Sequence, residues 1–291
     1  MTGLIDTHAH LYEPCYMENT DEFMQELKQN GVENVVCVGC ELKTSEQTLE
    51  LADRYDFIYA EVGFHPCDTA EVTEDDWEQM KKLLSHKKVV ALGEIGLDYY
   101  WENSPRDKQI YWFEKQLDYA YEIGLPVVIH SRDATAQTLE ILRRHKIHRG
   151  VFHCYSGSVE TLKEIVKMGF SISLGGVVTF KNARRAVECA EAVPLDRLML
   201  ETDCPFMAPE PHRGKTNRPD YTLYVAKKIA EIRGMDVQEL IDATRKNAKE
   251  MFNISRNVLG IFPRTFSIWL IYKQICRRVY STLQNSFLRR T

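Results

Sequence analysis

The sequence predicts an α/β chain, and within that class a (β/α)8 barrel with extra helices toward its C-terminal end. Eight short runs rich in apolar and β-branched residues recur between positions 4 and 203, as expected for parallel strands covered on both faces. Charged segments with helical spacing separate them, the strand–helix alternation of a closed barrel. An open doubly wound sheet is the alternative, but no GxGxxG follows the first run.

The runs are LIDTHAH (4–10), VENVVCVG (32–39), FIYAEVGFH (57–65), VVALGEIGLD (89–98), LPVVIH (125–130), GVFHC (150–154), FSISLGG (170–176) and RLMLETD (197–203). Between them, residues 107–123 place Ile110, Phe113, Leu117, Ala120 and Tyr121 on one helical stripe, and residues 159–168 do the same with Leu162, Ile165 and Val166. Gly31, Gly124 and Gly169 each end such a segment just before a strand. Two further helical stretches, 221–233 and 237–251, follow the last run, and Asp236 is placed to cap the second. No internal repeat interrupts residues 1–254, which read as one barrel domain.

Composition narrows the function class. The 291 residues are 44% hydrophobic and 27% charged, with a formal net charge of −5. That balance gives no global nucleic-acid footprint, so an anionic substrate must meet local positive charge or metal. The eight cysteines are scattered, and Cys37-Val-Gly-Cys40 reads as structural. With no secretory pattern and no apolar stretch of membrane-spanning length, the expectation is a soluble cytoplasmic protein. Residues 255–291 differ from the body: they hold seven of the 37 basic residues and no acidic one. Ile268, Tyr272, Ile275, Val279 and Leu283 follow helical spacing there, so this basic extension is set apart as a second segment of unknown role.

The chemistry lies at the ends of the runs. His8 and His10 stand one residue apart, on the same face of a strand and roughly 6–7 Å from each other along it. Five of the nine histidines (His8, His10, His65, His130 and His153) fall at run ends, with Glu94 and Asp98 in the fourth run and Glu201-Thr202-Asp203 closing the eighth. A lone strand-end histidine is commonly a hydrogen-bonded structural group. Strand ends of a parallel barrel, however, share one rim, and six groups there (His8, His10, Glu94, His130, His153 and Asp203) suit two divalent ions. Glu94, between the two histidine sets, is the candidate bridge, and Asp203 the candidate acceptor for the proton of an attacking water. The mixed donors do not name the metal, since imidazole suits zinc or iron and carboxylate suits magnesium or manganese. The chemistry they imply is hydrolysis by activated water.

The loop CPFMAPEPHRGKTNRP (204–219) follows the last run and must lie over the same rim. Arg213, Lys215 and Asn217 alternate within it and would offer a fork, an ammonium and an amide to a phosphodiester. Arg132 and His65 are candidate substrate contacts of the same kind. Tyr99, Tyr100 and Trp101 offer faces for base stacking or packing for the helix that follows.

DTHAHL, GFHP, GEIGLDYY, PVVIHSRD, FHCYSG and ETDCPFMAP followed by PHRGKTNRP together resemble the TatD-like metal-dependent deoxyribonucleases, among the amidohydrolase-type barrels. The ordered match covers residues 3–252. The resemblance implies a (β/α)8 barrel with a divalent metal centre, to which His8, His10, Glu94, His130, His153 and Asp203 correspond by motif position. It also implies a 3′→5′ exonuclease on DNA ends, commonly magnesium-dependent, with manganese or zinc as alternatives. Some relatives are linked to D-aminoacyl-tRNA deacylation. An ester or amide hydrolase acting on RNA-borne acyl groups is therefore the second reading, and a non-catalytic nucleic-acid-binding protein the third.

Overall fold

The computed structural model describes residues 1–101 and 103–254. The basic extension, residues 255–291, lies outside the described residues, as does its helical stripe from Ile268 to Leu283.

Eight strands form one sheet in sequence order: β1 (Leu4–Ala9), β2 (Val32–Gly39), β3 (Ile58–Val62), β4 (Val89–Asp98), β5 (Val127–Arg132), β6 (Gly150–Phe152), β7 (Ser171–Leu174) and β8 (Leu198–Leu200). Every neighbouring pair is parallel. The sheet closes where β1 meets the segment after β8: Ala9 bridges Cys204 in parallel, Asp203 N–H donates to the His8 carbonyl at 3.0 Å, and His10 N–H donates to the Cys204 carbonyl at 2.9 Å. This is the (β/α)8 barrel that the alternation of runs predicts.

The helices are α1 (Thr20–Gln29), α2 (Leu42–Arg54), α3 (Glu74–Leu84), α4 (Arg106–Ile123), α5 (Thr135–Arg144), α6 (Val159–Lys167), α7 (Arg184–Ala192), α8 (Thr222–Arg233) and α9 (Val237–Phe252). Their starts follow local chemistry. Asp236 accepts the Gln238 and Glu239 amides at the head of α9, and Ser158 accepts Thr161 N–H at the head of α6. Gly124 ends α4 with φ of 73°, a left-handed turn that a side chain would resist.

Two apolar layers explain why the runs are almost continuously hydrophobic. One packs the strands against the outer helices, including Leu4, Val35, Val62, Leu117 and Ile229. The other gathers Ile5, Val36, Val90, Val128, Val151 and Met199 from six strands against Ala248, Met251 and Phe252 of α9. The extra C-terminal helix therefore packs against one apolar cluster of the sheet, while the polar side chains collect at the strands' C-terminal ends. No helix among the described residues is long and apolar enough to cross a membrane.

Candidate metal centre

The closing seam of the barrel fixes the first group of site residues. Because His8 and His10 exchange backbone hydrogen bonds with Asp203 and Cys204, their imidazoles and the Asp203 carboxylate are held together by the sheet itself. Asp203 Oδ1 lies 3.2 Å from His10 Nε2 and 3.8 Å from His8 Nε2, and the two imidazole centroids are 5.2 Å apart. Asp203 takes a left-handed φ of 55°, which costs an aspartate less than most residues. Asp6 braces the seam from within β1. Its buried carboxyl accepts the Thr202 and His8 amides at 2.9 and 3.3 Å, and bonds the Thr202 hydroxyl. Burial pushes its pKa up to about 8 against the pull of those bonds.

Glu94, near the end of β4, sits at the centre. Its Oε1 lies 2.6 Å from His153 Nε2 and 2.7 Å from His130 Nδ1, and its Oε2 lies 3.2 Å from His8 Nε2. Each of these three imidazoles is backed on its other side by a second acid. Glu61 Oε1 is 3.2 Å from His8 Nδ1, Asp98 Oδ2 is 2.8 Å from His130 Nε2, and Glu201 Oε1 is 3.7 Å from His153 Nδ1. Asp98 also accepts the Tyr100 and Trp101 amides at 2.9 Å, and Glu201 accepts Cys154 N–H at 2.6 Å. The outer acids are thus fixed to the loops that follow β4 and β6.

This donor set fits divalent cations. Glu61, Glu94, Asp98 and Glu201 are all buried, and among the described residues their only ion-pair partners are imidazoles. Buried charge without a fixed cation is costly, so the site requires added positive charge. Both ring nitrogens of His8, both oxygens of Glu61 and Nδ1 of His153 are buried without a well-aligned hydrogen-bond partner. Burial alone would raise the Glu94 pKa, but the imidazoles of His153 and His8 hold its carboxyl well below the usual range. Asp203 is held low in the same way, by His10 above all. For His153 burial pulls the pKa down, yet the Glu94 carboxylate outweighs it and pushes it up to about 10.

Two triplets bring ligand atoms within 4.8 Å of one another around His8, namely His8–Glu94–His153 and His8–His10–Asp203. A third, His65–Glu94–His130, is close enough but chemically different. His65 Nδ1 accepts Cys67 N–H at 3.1 Å, so the proton of the neutral ring sits on Nε2, 3.6 Å from Glu94 Oε1. Burial pushes the His65 pKa down to about 3, which keeps it neutral. His65 therefore presents an N–H donor to the site, not a lone pair. All six residues expected from the sequence as ligands meet at this mouth.

The expected substrate contacts divide. Arg132 is exposed at the end of β5, its guanidinium 4.0 Å from the Tyr100 ring centroid and 5.6 Å from that of Trp101. Arg213 lies over the Phe180 ring at 3.7 Å, and with Lys215 borders an open cleft that also includes Met207. Asn217 is a correction: it is fully buried, and its amide donates to the Thr202 and Phe206 carbonyls at 2.8 and 2.7 Å. It braces the loop and offers nothing to a phosphate. Tyr100 and Trp101 are exposed, whereas Tyr99 packs partly against the core. The residue the sequence reading missed is Glu61. Its signal was a lone acid in the middle of an otherwise apolar, doubly covered strand.

A closed parallel barrel with imidazoles and carboxylates gathered at its C-terminal mouth defines a class, the metal-dependent hydrolases. Residues 5–253 match the family described as TatD related DNase, and the chain belongs to that family. It is 45% identical to the metal-dependent hydrolase YabD of Bacillus subtilis over 254 residues, covering 87% of this chain and all of that one. It is 36% identical to the metal-dependent hydrolase YcfH of Escherichia coli, covering 88% of this chain and 98% of that one. The crystal structure of YjjV, a TatD homologue from Escherichia coli, superposes with a TM-score of 0.83 at 31% identity, covering 87% of this chain and 99% of that one. The chain is thus a metal-dependent hydrolase of the TatD family.

Proposed function

We propose that this hydrolase cuts phosphodiester bonds at DNA ends, removing nucleotides 3′→5′ from single strands, with two divalent cations held by His8, His10, Glu94, His130, His153 and Asp203. The observation that carries the reading is Glu94 in contact with His8, His130 and His153 while Asp203 stands against His8 and His10, which makes two adjoining donor groups that meet at His8. Magnesium is the expected metal for activity, with manganese and zinc as alternatives. Bound there, divalent cations would acidify a water and neutralise charge on a phosphoryl oxygen.

The chain's own groups do the rest. Asp203, kept ionised, accepts the proton of the attacking water at its carboxylate. His65, with its proton on Nε2, donates a hydrogen bond toward the phosphoryl group. Glu61, Asp98 and Glu201 orient the ligand imidazoles from behind. Arg132, Arg213 and Lys215 meet the substrate's phosphates. The seven cysteines among the described residues are all free, in keeping with a reducing cytoplasmic setting.

The test is a digestion panel with magnesium or manganese and labelled single-stranded DNA, RNA and D-aminoacyl-tRNA side by side. The reading predicts stepwise shortening of DNA from its 3′ end, abolished by EDTA. Turnover of the acyl substrate alone would assign the deacylase reading instead, and tight DNA binding with no metal-dependent product would assign the non-catalytic one.

A further inference from the structure

Beside the metal centre lies a cavity of about 360 Å³, at the small end of ligand-sized sites. His153 forms part of its wall, so the cavity adjoins the candidate metal centre through that residue. Its other walls include Tyr100, Arg132, Thr135 and Arg185, with Asp133 as the acid that borders it. Both guanidiniums are exposed. Glu188, the acid one turn further along α7, pairs with Arg184 at 2.8 Å and leaves Arg185 to face the cavity.

Arg132 is held in place for recognition. Its guanidinium carbon lies 4.0 Å from the Tyr100 ring centroid, and its N–H groups suit a planar or tetrahedral anion. Tyr100 is positioned by its own amide on Asp98, and the Arg132 carbonyl accepts Tyr99 N–H at 2.9 Å. Asp98 in turn bonds His130 at 2.8 Å. The arginine and the aromatic ring of the wall are therefore linked through Asp98 to His130, a candidate ligand of the metal centre. Helix α5 also begins at this edge, with no side chain capping its first amides.

We infer that this cavity is an anion subsite that takes a phosphate of the substrate other than the one being cut, through Arg132 and Arg185. The inference rests on the phosphodiesterase reading and deepens it: the enzyme recognises a phosphate adjoining the scissile bond as well as the bond itself. Asp133 tempers the site, so affinity is set by two cations against one acid.

The test uses the full chain loaded with magnesium and two probes, thymidine 5′-monophosphate and thymidine, titrated by calorimetry. The monophosphate binds at least about tenfold tighter than the nucleoside, the scale of one charge-assisted contact. Arg132→Ala with Arg185→Ala erases that difference, and Asp133→Asn widens it. Circular dichroism spectra stay unchanged, because all three side chains are exposed. A preference for the monophosphate that survives the double arginine variant places the phosphate on the metal ions and overturns the subsite. Equal binding of the two probes to the unaltered protein overturns it as well. If the arginine-dependent preference holds but a thymidine dinucleotide is never cut, the subsite stands and the nuclease reading falls.

Discussion

Replacing Glu61 removes one buried charge that stands directly behind the candidate ligand His8. The carboxylate is fully buried in β3, its Oε1 lies 3.2 Å from His8 Nδ1, and neither oxygen has a well-aligned hydrogen-bond partner. The opposite nitrogen, Nε2, faces Glu94 at 3.2 Å. An acid that accepts the far N–H of a ligand imidazole fixes its tautomer and raises its basicity, and removing such a group costs about 10–100-fold in metal affinity. Glu61→Gln keeps the shape and an acceptor oxygen but loses the charge, so it falls at the lower end, about 1.4 kcal/mol. Glu61→Leu loses both and falls at the upper end, about 2.7 kcal/mol. The assay is a calorimetric titration of manganese into metal-stripped protein, with circular dichroism to show that the barrel is intact. Affinities for both variants within threefold of the unaltered protein would refute the reasoning, because Glu61 would then not act through His8.

Three further outcomes are expected. Asp203→Asn lowers kcat by about 10²–10⁴-fold with a smaller change in KM, measured by steady-state kinetics on single-stranded DNA, since it removes the proton acceptor while leaving the phosphate contacts in place. Asp6→Ala leaves the Thr202 and His8 donors unpaired at the barrel seam and costs about 2–4 kcal/mol, a fall in Tm of roughly 5–15 °C by calorimetry. Asn217→Ala lowers Tm by about 2–8 °C through the two lost bonds to backbone carbonyls; a rise in KM at constant Tm would restore it as a substrate contact.

Much of the architecture is legible in the chain because a parallel barrel buries its strands on both faces. The runs at 32–39 and 89–98 coincide with β2 and β4. The last run extends to Asp203, but β8 stops at Leu200 and the backbone turns left-handed at Asp203, a change of φ of which apolar content carries no record. That break, with the seam bonds, is what sets Asp203 against His10. The ligands are readable since a closed barrel brings its strand ends to one mouth. The outer acids are less so: Asp98 and Glu201 stand at run ends, whereas Glu61 is surrounded by apolar neighbours and shows its role only through His8. Asn217 illustrates the opposite failure. Period two orders side chains in a strand, but this loop turns at Pro209–His212 and again at His212–Lys215, with Gly214 at φ of 83°, so alternate residues do not share a face.

The central claim is that one mouth of the barrel holds two divalent cations that share Glu94. Anomalous diffraction from crystals of the protein grown with manganese tests it most directly. The account predicts two peaks on either side of the Glu94 carboxylate, one within bonding reach of His8, His10 and Asp203 and the other of His130 and His153. A mouth without manganese, or peaks out of reach of both Glu94 and Asp203, would contradict it.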